Sequence, residues 1–234
     1  MQGMLRKWAR ALAGRPKVPP IVRKVRAEGL TYLNVEALTE LQREVRRIEE
    51  AGMEGILIEA GCALGGSAIA IAEAKAPGRA MYVYDVFGMI PPPSASDGED
   101  VHQRYEVIRS GRSEGIGGNR YYGYESDLRK RVTDNFQRLG YPVEENHVEL
   151  VEGLFQETLR PSEPVALAHV DGDWYESVMT CLQRIVPWLV RGGRLVIDDY
   201  HTWSGCRRAV DQYFADTRQD FRFEGESRLH IVRA

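Results

Sequence analysis

The sequence predicts an α/β protein: a mostly parallel sheet, covered by helices on both faces, with short strands closing the chain. Three observations carry this. Apolar runs of strand length alternate with segments of helical period from residue 55 onward. A glycine-rich turn joins the first such run to its helix. Several runs end in acidic residues, at the edge where an open α/β sheet presents its ligand-binding groups.

The elements follow in order. Val35, Leu38, Leu41, Val45 and Ile48 recur every three or four residues, which predicts an amphipathic helix over 35–51, with Gly52 and Gly55 marking its end. Gly55–Ala60 reads as a buried strand, Ser67–Lys75 as a helix and Ala80–Asp85 as a second strand. His147–Val151 and Val165–Val170 read as the third and fourth strands. Val178, Leu182, Ile185 and Leu189 share one face of a helix over Tyr175–Leu189. Arg194–Asp198 is the fifth strand, Cys206–Thr217 a helix, and Phe221–Phe223 and Leu229–Val232 two terminal strands. The apolar runs lack polar alternation, as expected of parallel strands buried on both faces.

Residues 88–126 break the alternation. They hold Pro91-Pro92-Pro93, five glycines between 111 and 123, and Tyr121, Tyr122 and Tyr124. A connection this long inside a compact domain is read as a lid or binding loop, and its aromatic content argues against simple disorder. The expected organisation is a basic arm over 1–29, then a single domain over 30–234 with the lid-like segment 88–126 inserted.

The chain has 234 residues, 43% hydrophobic and 28% charged, enough to bury a core without disulfides or metal staples. No run approaches the ~18 apolar residues of a spanning helix. Cys62, Cys181 and Cys206 form neither a disulfide framework nor a zinc motif, which points to a reducing, cytoplasmic setting. The net charge of −3 conceals a division. Residues 1–27 hold eight Lys/Arg and no acid, whereas the rest hold 23 basic and 34 acidic side chains. An acidic body argues against nucleic acid as the ligand. Leu5, Trp8 and Leu12 stand at helical spacing among arginines. That arm is read as a terminal tail or a contact between copies in a homo-oligomer, in preference to a membrane-surface helix.

The turn Glu59-Ala-Gly61-Cys-Ala-Leu-Gly65-Gly66-Ser67 lets the backbone approach a ligand and opens a helix N-terminus. Its spacing is neither the dinucleotide fingerprint nor a Walker cradle. Glu59 beside it suits a cationic ligand better than a pyrophosphate. Asp85, at the end of the second strand, can accept both ribose hydroxyls of a nucleoside. Together these predict an adenosine-containing ligand.

The fourth strand ends in Asp171-Gly172-Asp173 and the fifth in Asp198-Asp199. Neighbouring strand ends would bring four carboxylates to one crevice, where they repel and raise one another's pKa. A divalent cation relieves that conflict, and an all-oxygen set suits Mg²⁺, Mn²⁺ or Ca²⁺ rather than zinc.

In this order the motifs resemble the macrocin O-methyltransferase family over residues 30–215. They are Glu59-Ala-Gly61 with Gly65-Gly66-Ser67, Tyr84-Asp85-x-Phe87, Glu152-Gly153-x-Phe155, Asp171-Gly-Asp-x-Tyr-Glu-Ser177, Gly192-Gly193 before Ile197-Asp-Asp199, and Gly205-Cys-Arg-x-Ala-Val-Asp211. The resemblance implies the class I methyltransferase sheet, with an antiparallel last strand. It implies a metal-dependent enzyme that methylates a sugar hydroxyl with S-adenosylmethionine. By the same resemblance, Asp171, Asp198 and Asp199 hold Mg²⁺ (or Mn²⁺), and Asp173 is a base. Gly61 to Ser67 and Asp85 contact the cofactor, with Glu152, Gly153 and Phe155 near its adenine. Region 88–126 departs from the antibiotic-sugar members, so a macrolide-sugar acceptor does not carry over.

The chemistry required is deprotonation and orientation of an alcohol, because the sulfonium already makes the methyl reactive. Asp173 is the first base and His201 its rival, whereas His169, inside the fourth strand, reads as a core or supporting residue. Two other readings remain open: a metal-dependent methyltransferase of a catechol-like or other small diol, and an adenosyl-binding module without catalysis.

Overall fold

The computed structural model describes residues 18–225 and 227–234. The basic stretch 1–17, with Leu5, Trp8 and Leu12, lies outside the described residues.

Seven strands form one sheet: β1 (Ile56–Ala60), β2 (Met81–Asp85), β3 (Val148–Glu152), β4 (Val165–Val170), β5 (Leu189–Ile197), β6 (Phe221–Gly225) and β7 (Leu229–Arg233). Their order is β3-β2-β1-β4-β5-β7-β6. Strands β1 to β5 are parallel, and β7 runs antiparallel to both β5 and β6. The expected mostly parallel sheet with a reversed last strand is present. The helices are α1 (Pro20–Ala27), α2 (Val35–Glu50), α3 (Gly66–Ala74), α4 (Glu99–Arg109), α5 (Leu128–Leu139), α6 (Phe155–Thr158), α7 (Tyr175–Ile185) and α8 (Ser204–Tyr213).

Strand alternation divides the core. Leu57, Met81 and Val83 face α1, α2, α3 and α5. Ile56, Ile58, Leu195 and Ile197 face α7 and α8. Helix α3 is buried along nearly its whole length, between α1 and α2 on one side and the sheet on the other, so its sequence is apolar all round.

Among the described residues, four helices went unread in the sequence: α1, α4 within the lid-like segment, α5 and the single turn α6. Within the stretch expected to be an arm, α1 begins with Pro20 in its first turn and buries Ile21, Val22 and Val25. Eight residues are too few for a stable isolated helix, so docking of those three side chains, at about 1.5–3 kcal/mol each, holds it. Helix α5 starts at Asp127, whose carboxylate accepts from the Lys130 amide (3.1 Å), and stops at left-handed Gly140. It buries Leu128, Val132, Phe136 and Leu139.

Segment 88–126 is an ordered roof. It carries α4, which buries Val101 and Ile108, and Tyr121 is 3% exposed. It is pinned beside the ends of β4 and β5. The Trp174 indole donates to the Pro91 carbonyl (3.0 Å), and the Tyr175 amide donates to Asp97 (2.7 Å). The Ser204 amide donates to Asp100 (2.9 Å) and Arg208 to the Ser96 carbonyl (3.0 Å). No described helix is long and apolar enough to cross a membrane.

Candidate active site

The chain runs outward from β1 through β2 and β3, then returns to β4 on the other side of β1. That reversal opens a crevice between β1 and β4, the place where open α/β sheets bind ligands. The two strand ends touch, because the Asp171 amide donates to the Ala60 carbonyl (2.8 Å). A Cβ at Gly61 would collide with the Asp171 carbonyl, and Gly61 has φ +89°. Glycine is therefore required there by both space and conformation.

A cavity of about 330 Å³ occupies this crevice. Its floor is Gly61, Cys62 and Ala63 after β1, Asp85 at the end of β2, and Phe155 at the start of α6. Its acidic wall is Asp171, Asp173, Asp198 and Asp199, and the roof contributes Arg104, Tyr121 and Tyr122.

The predicted cofactor residues divide into those that line the cavity and those that hold its shape. Gly61, Asp85 and Phe155 line it. The Asp85 carboxylate accepts from the amides of Cys62 (2.8 Å) and Phe87 (2.7 Å). Burial pushes its pKa up, against the pull of those amides. Glu59, Gly65, Gly66 and Ser67 do not line the cavity. Glu59 is fully buried, accepting from the Ser67 hydroxyl and pairing with His169 Nδ1 (3.1 Å). The positive partner sought for Glu59 is thus a histidine of the next strand. Gly66 donates its amide to the Leu30 carbonyl (3.0 Å), which a Cβ there would strike. Gly153 donates to the Asp85 carbonyl (3.0 Å). Glu152 is exposed beside a separate shallow cavity, 3.9 Å from Arg129.

On the acidic wall, Asp171, Asp173 and Asp199 offer oxygens within 4.8 Å of one another, whereas Asp198, the third predicted ligand, is not in that group and has its Oδ1 bonded by Arg228. Burial and the neighbouring carboxylates push Asp171 and Asp199 well above the usual range. Burial, then Asp198, raises Asp173 to about 7, against the Trp203 indole, which donates to its Oδ1 (3.0 Å), and Arg104. Asp173 has φ +54°, a left-handed conformation that few non-glycine residues adopt. Asp198 behaves differently. Burial opposes its charge, but His169 and Arg228 outweigh that and hold it below the usual range. The Arg228 guanidinium bonds Asp198 Oδ1, and His169 Nε2 lies 3.7 Å from the same oxygen. Burial alone would lower His169, but Glu59 and Asp198 on either side raise it to about 10. His201 is exposed, its ring against Tyr200, and it does not line the cavity.

The wall fits a hard divalent cation. Its donors are carboxylate oxygens, their like charges are mutually opposed, and buried Asp199 Oδ2 has no hydrogen-bond partner among the described residues. Sequence reasoning missed Trp203, Arg104 and Arg228. Arg228 is 30 positions from Asp198, and the antiparallel pairing that brings them together has no local signature.

Comparison with known proteins agrees with this geometry. Residues 24–220 match the macrocin O-methyltransferase (TylF) family. The 8-demethyl-8-(2,3-dimethoxy-alpha-L-rhamnosyl)-tetracenomycin-C 4'-O-methyltransferase of Streptomyces olivaceus is 31% identical over 189 residues, 78% of this chain and 67% of that relative. The demethyldecarbamoylnovobiocin O-methyltransferase of Streptomyces niveus is 26% identical, over 81% of this chain and 69% of that one. The solved O-methyltransferase NovP superposes with a TM-score of 0.73 at 24% identity, covering 90% of this chain and 88% of its own, which shows the shared fold. With its sheet order, its strand-end cavity and this match over most of its length, the chain belongs to the macrocin O-methyltransferase family, whose fold is that of S-adenosylmethionine-dependent methyltransferases.

Proposed function

We propose that the protein transfers a methyl group from S-adenosylmethionine to a hydroxyl of a glycosyl group, in a Mg²⁺-dependent reaction. The observation that carries this reading is the acidic wall beside the glycine turn, with one buried oxygen of Asp199 unpartnered. The Streptomyces olivaceus relative is named for 4'-O-methylation of a rhamnosyl-bearing tetracenomycin, which supports a sugar acceptor over a catechol-like diol. Four acids on two strand ends exceed what a non-catalytic adenosyl-binding module needs.

In this reading Gly61 and Asp85 hold the cofactor, with Phe155 at its adenine. Asp171, Asp198 and Asp199 hold the metal. Asp198 is ionised without the metal because His169 and Arg228 lower its pKa, and with Oδ1 on Arg228 it would offer Oδ2. Bound Mg²⁺ would supply Lewis acidity, lowering the pKa of a chelated hydroxyl, and bound S-adenosylmethionine would supply an electrophilic methyl. Asp173 takes the hydroxyl proton. Trp203 occupies its Oδ1, leaving Oδ2 to receive the proton. The pinned roof excludes water and fixes the acceptor against that oxygen. Three buried, unpaired cysteines are in keeping with a reducing cytoplasmic compartment.

The test is an assay with S-adenosylmethionine, Mg²⁺ and a panel of glycosides and catechols, reading S-adenosylhomocysteine and methylated product. The expected result is methylation of a glycoside that stops when chelator is added. Methylation confined to catechols, or undiminished in chelator, contradicts the reading.

A further inference from the structure

The cavity is walled by acids on one side, and two cations line it, Arg104 and Arg228. Arg228 is committed to Asp198. Arg104 has no carboxylate partner at ion-pair distance among the described residues. It projects from α4 in the roof, and two contacts fix it. Its Nη2 donates to the Ser113 hydroxyl (2.9 Å), and its guanidinium carbon lies 5.9 Å from the centre of the Tyr121 ring. Tyr121 is itself held against Tyr122 (4.5 Å between ring centres), and Tyr122 against Tyr32 (6.1 Å). A guanidinium carries five N–H donors in a planar fork, and among the described residues one of them is engaged, by Ser113. Arg104 lines the same cavity as Asp173, whose rise in pKa it opposes.

A guanidinium can bond a neutral hydroxyl, but its strongest and most geometrically matched partners are carboxylates and phosphates. An alcohol presented to the acidic wall, with an anion at its other end, would meet both the wall and the roof with matching charge. We propose that Arg104 forms an anion subsite, so that the methylated glycosyl group belongs to an acceptor bearing a carboxylate or a phosphate. This rests on the glycosyl reading above. It makes Arg104 a specificity residue that the acceptor touches directly. Tyr121 and Ser113 position it.

The test uses the full chain saturated with S-adenosylhomocysteine and three probes: a neutral hexoside, the matching hexuronoside and the matching hexosyl phosphate. Binding is read by calorimetry, and methyl transfer is read in parallel with S-adenosylmethionine. At least one charged probe is expected to bind about tenfold or more tightly than the neutral one, and the hexuronoside and phosphate arms separate the two anions. Arg104→Gln is expected to collapse that ratio towards one, Arg104→Lys to keep part of it, and cofactor affinity to be unchanged in both. The subsite is overturned if charged and neutral probes bind alike, if no charged probe binds, or if the preference survives in Arg104→Gln. It is also overturned if Arg104→Gln weakens cofactor binding instead, since the arginine would then serve the carboxylate of the cofactor. Turnover of neutral glycosides without charge preference would refute the subsite and leave the methyltransferase reading standing. Absence of methyl transfer to any glycoside would refute that reading itself.

Discussion

A carboxylate that removes a proton from an alcohol works best when its own proton affinity lies near the ambient pH. Asp173 meets that condition, with a pKa raised to about 7 by burial and by Asp198. Asp173→Asn is therefore expected to lower kcat by about 10²–10⁴, the usual weight of a general base, with cofactor affinity kept. The base works when ionised, so kcat/KM should climb with pH through the Asp173 pKa. A bound cation favours the ionised form, so that limb should move to lower pH as Mg²⁺ is added. A pH–rate profile of the two proteins checks both; a rate unchanged in Asp173→Asn would remove the base from Asp173. The acids were legible in the sequence because they end two apolar runs. Their division of labour was not. Trp203 on Asp173 and Arg228 on Asp198 are contacts across 30 positions, made by tertiary packing. Glu59 was legible as a charge beside the turn, but its partner His169 came from register, since Glu59 and His169 are paired residues of β1 and β4.

At the scale of elements, the roof over residues 88–126 decides how firmly the acceptor side is built. Asp97 is its main tie, accepting from the Tyr175 amide at the head of α7 and from Ser94. Removing that carboxylate leaves a buried N–H without a partner, which costs about 1–3 kcal/mol. Asp97→Ala is expected to lower stability by that amount and to raise KM for the acceptor more than it lowers kcat. Denaturant titration and steady-state kinetics measure the two. An unchanged acceptor KM would show that the roof keeps its place without the tie. The periodic elements were read correctly wherever an apolar run stood alone: β1, β2, β4 and α2 agree with the spacing. Helices α1 and α5 were not. Pro20 followed a proline-rich, basic stretch, which masked three core residues behind the look of a tail. Asp127 and Gly140 bracket α5 with an ordinary cap and stop, but the helix follows directly on the irregular lid-like segment 88–126, which hides its start.

At the scale of the whole molecule, the division between a basic first stretch and an acidic body turns into a statement about stability. Asp171, Asp173 and Asp199 all have raised pKa values in the folded chain. The fold holds protons that the unfolded chain releases near pH 4, so stability without metal should fall as pH rises from about 4 towards 7. A cation on the wall removes that penalty. Thermal midpoints measured in chelator should therefore decline across that window, and those in Mg²⁺ should decline less. Saturating cofactor at about a hundred times its Kd should add about 5–10 °C for a chain of this size. A midpoint in chelator that rises between pH 5 and 7 would contradict the assignment of these acids. In the proposed reading the strand ends of β4 and β5 form a divalent-cation site beside the cofactor cavity. The most direct measurement is a calorimetric titration of Mg²⁺ into the full chain saturated with S-adenosylhomocysteine, repeated with Asp199→Ala. One cation is expected to bind per chain, and Asp199→Ala is expected to abolish that binding while S-adenosylhomocysteine still binds. No binding to the unaltered chain, or undiminished binding in Asp199→Ala, would contradict the account.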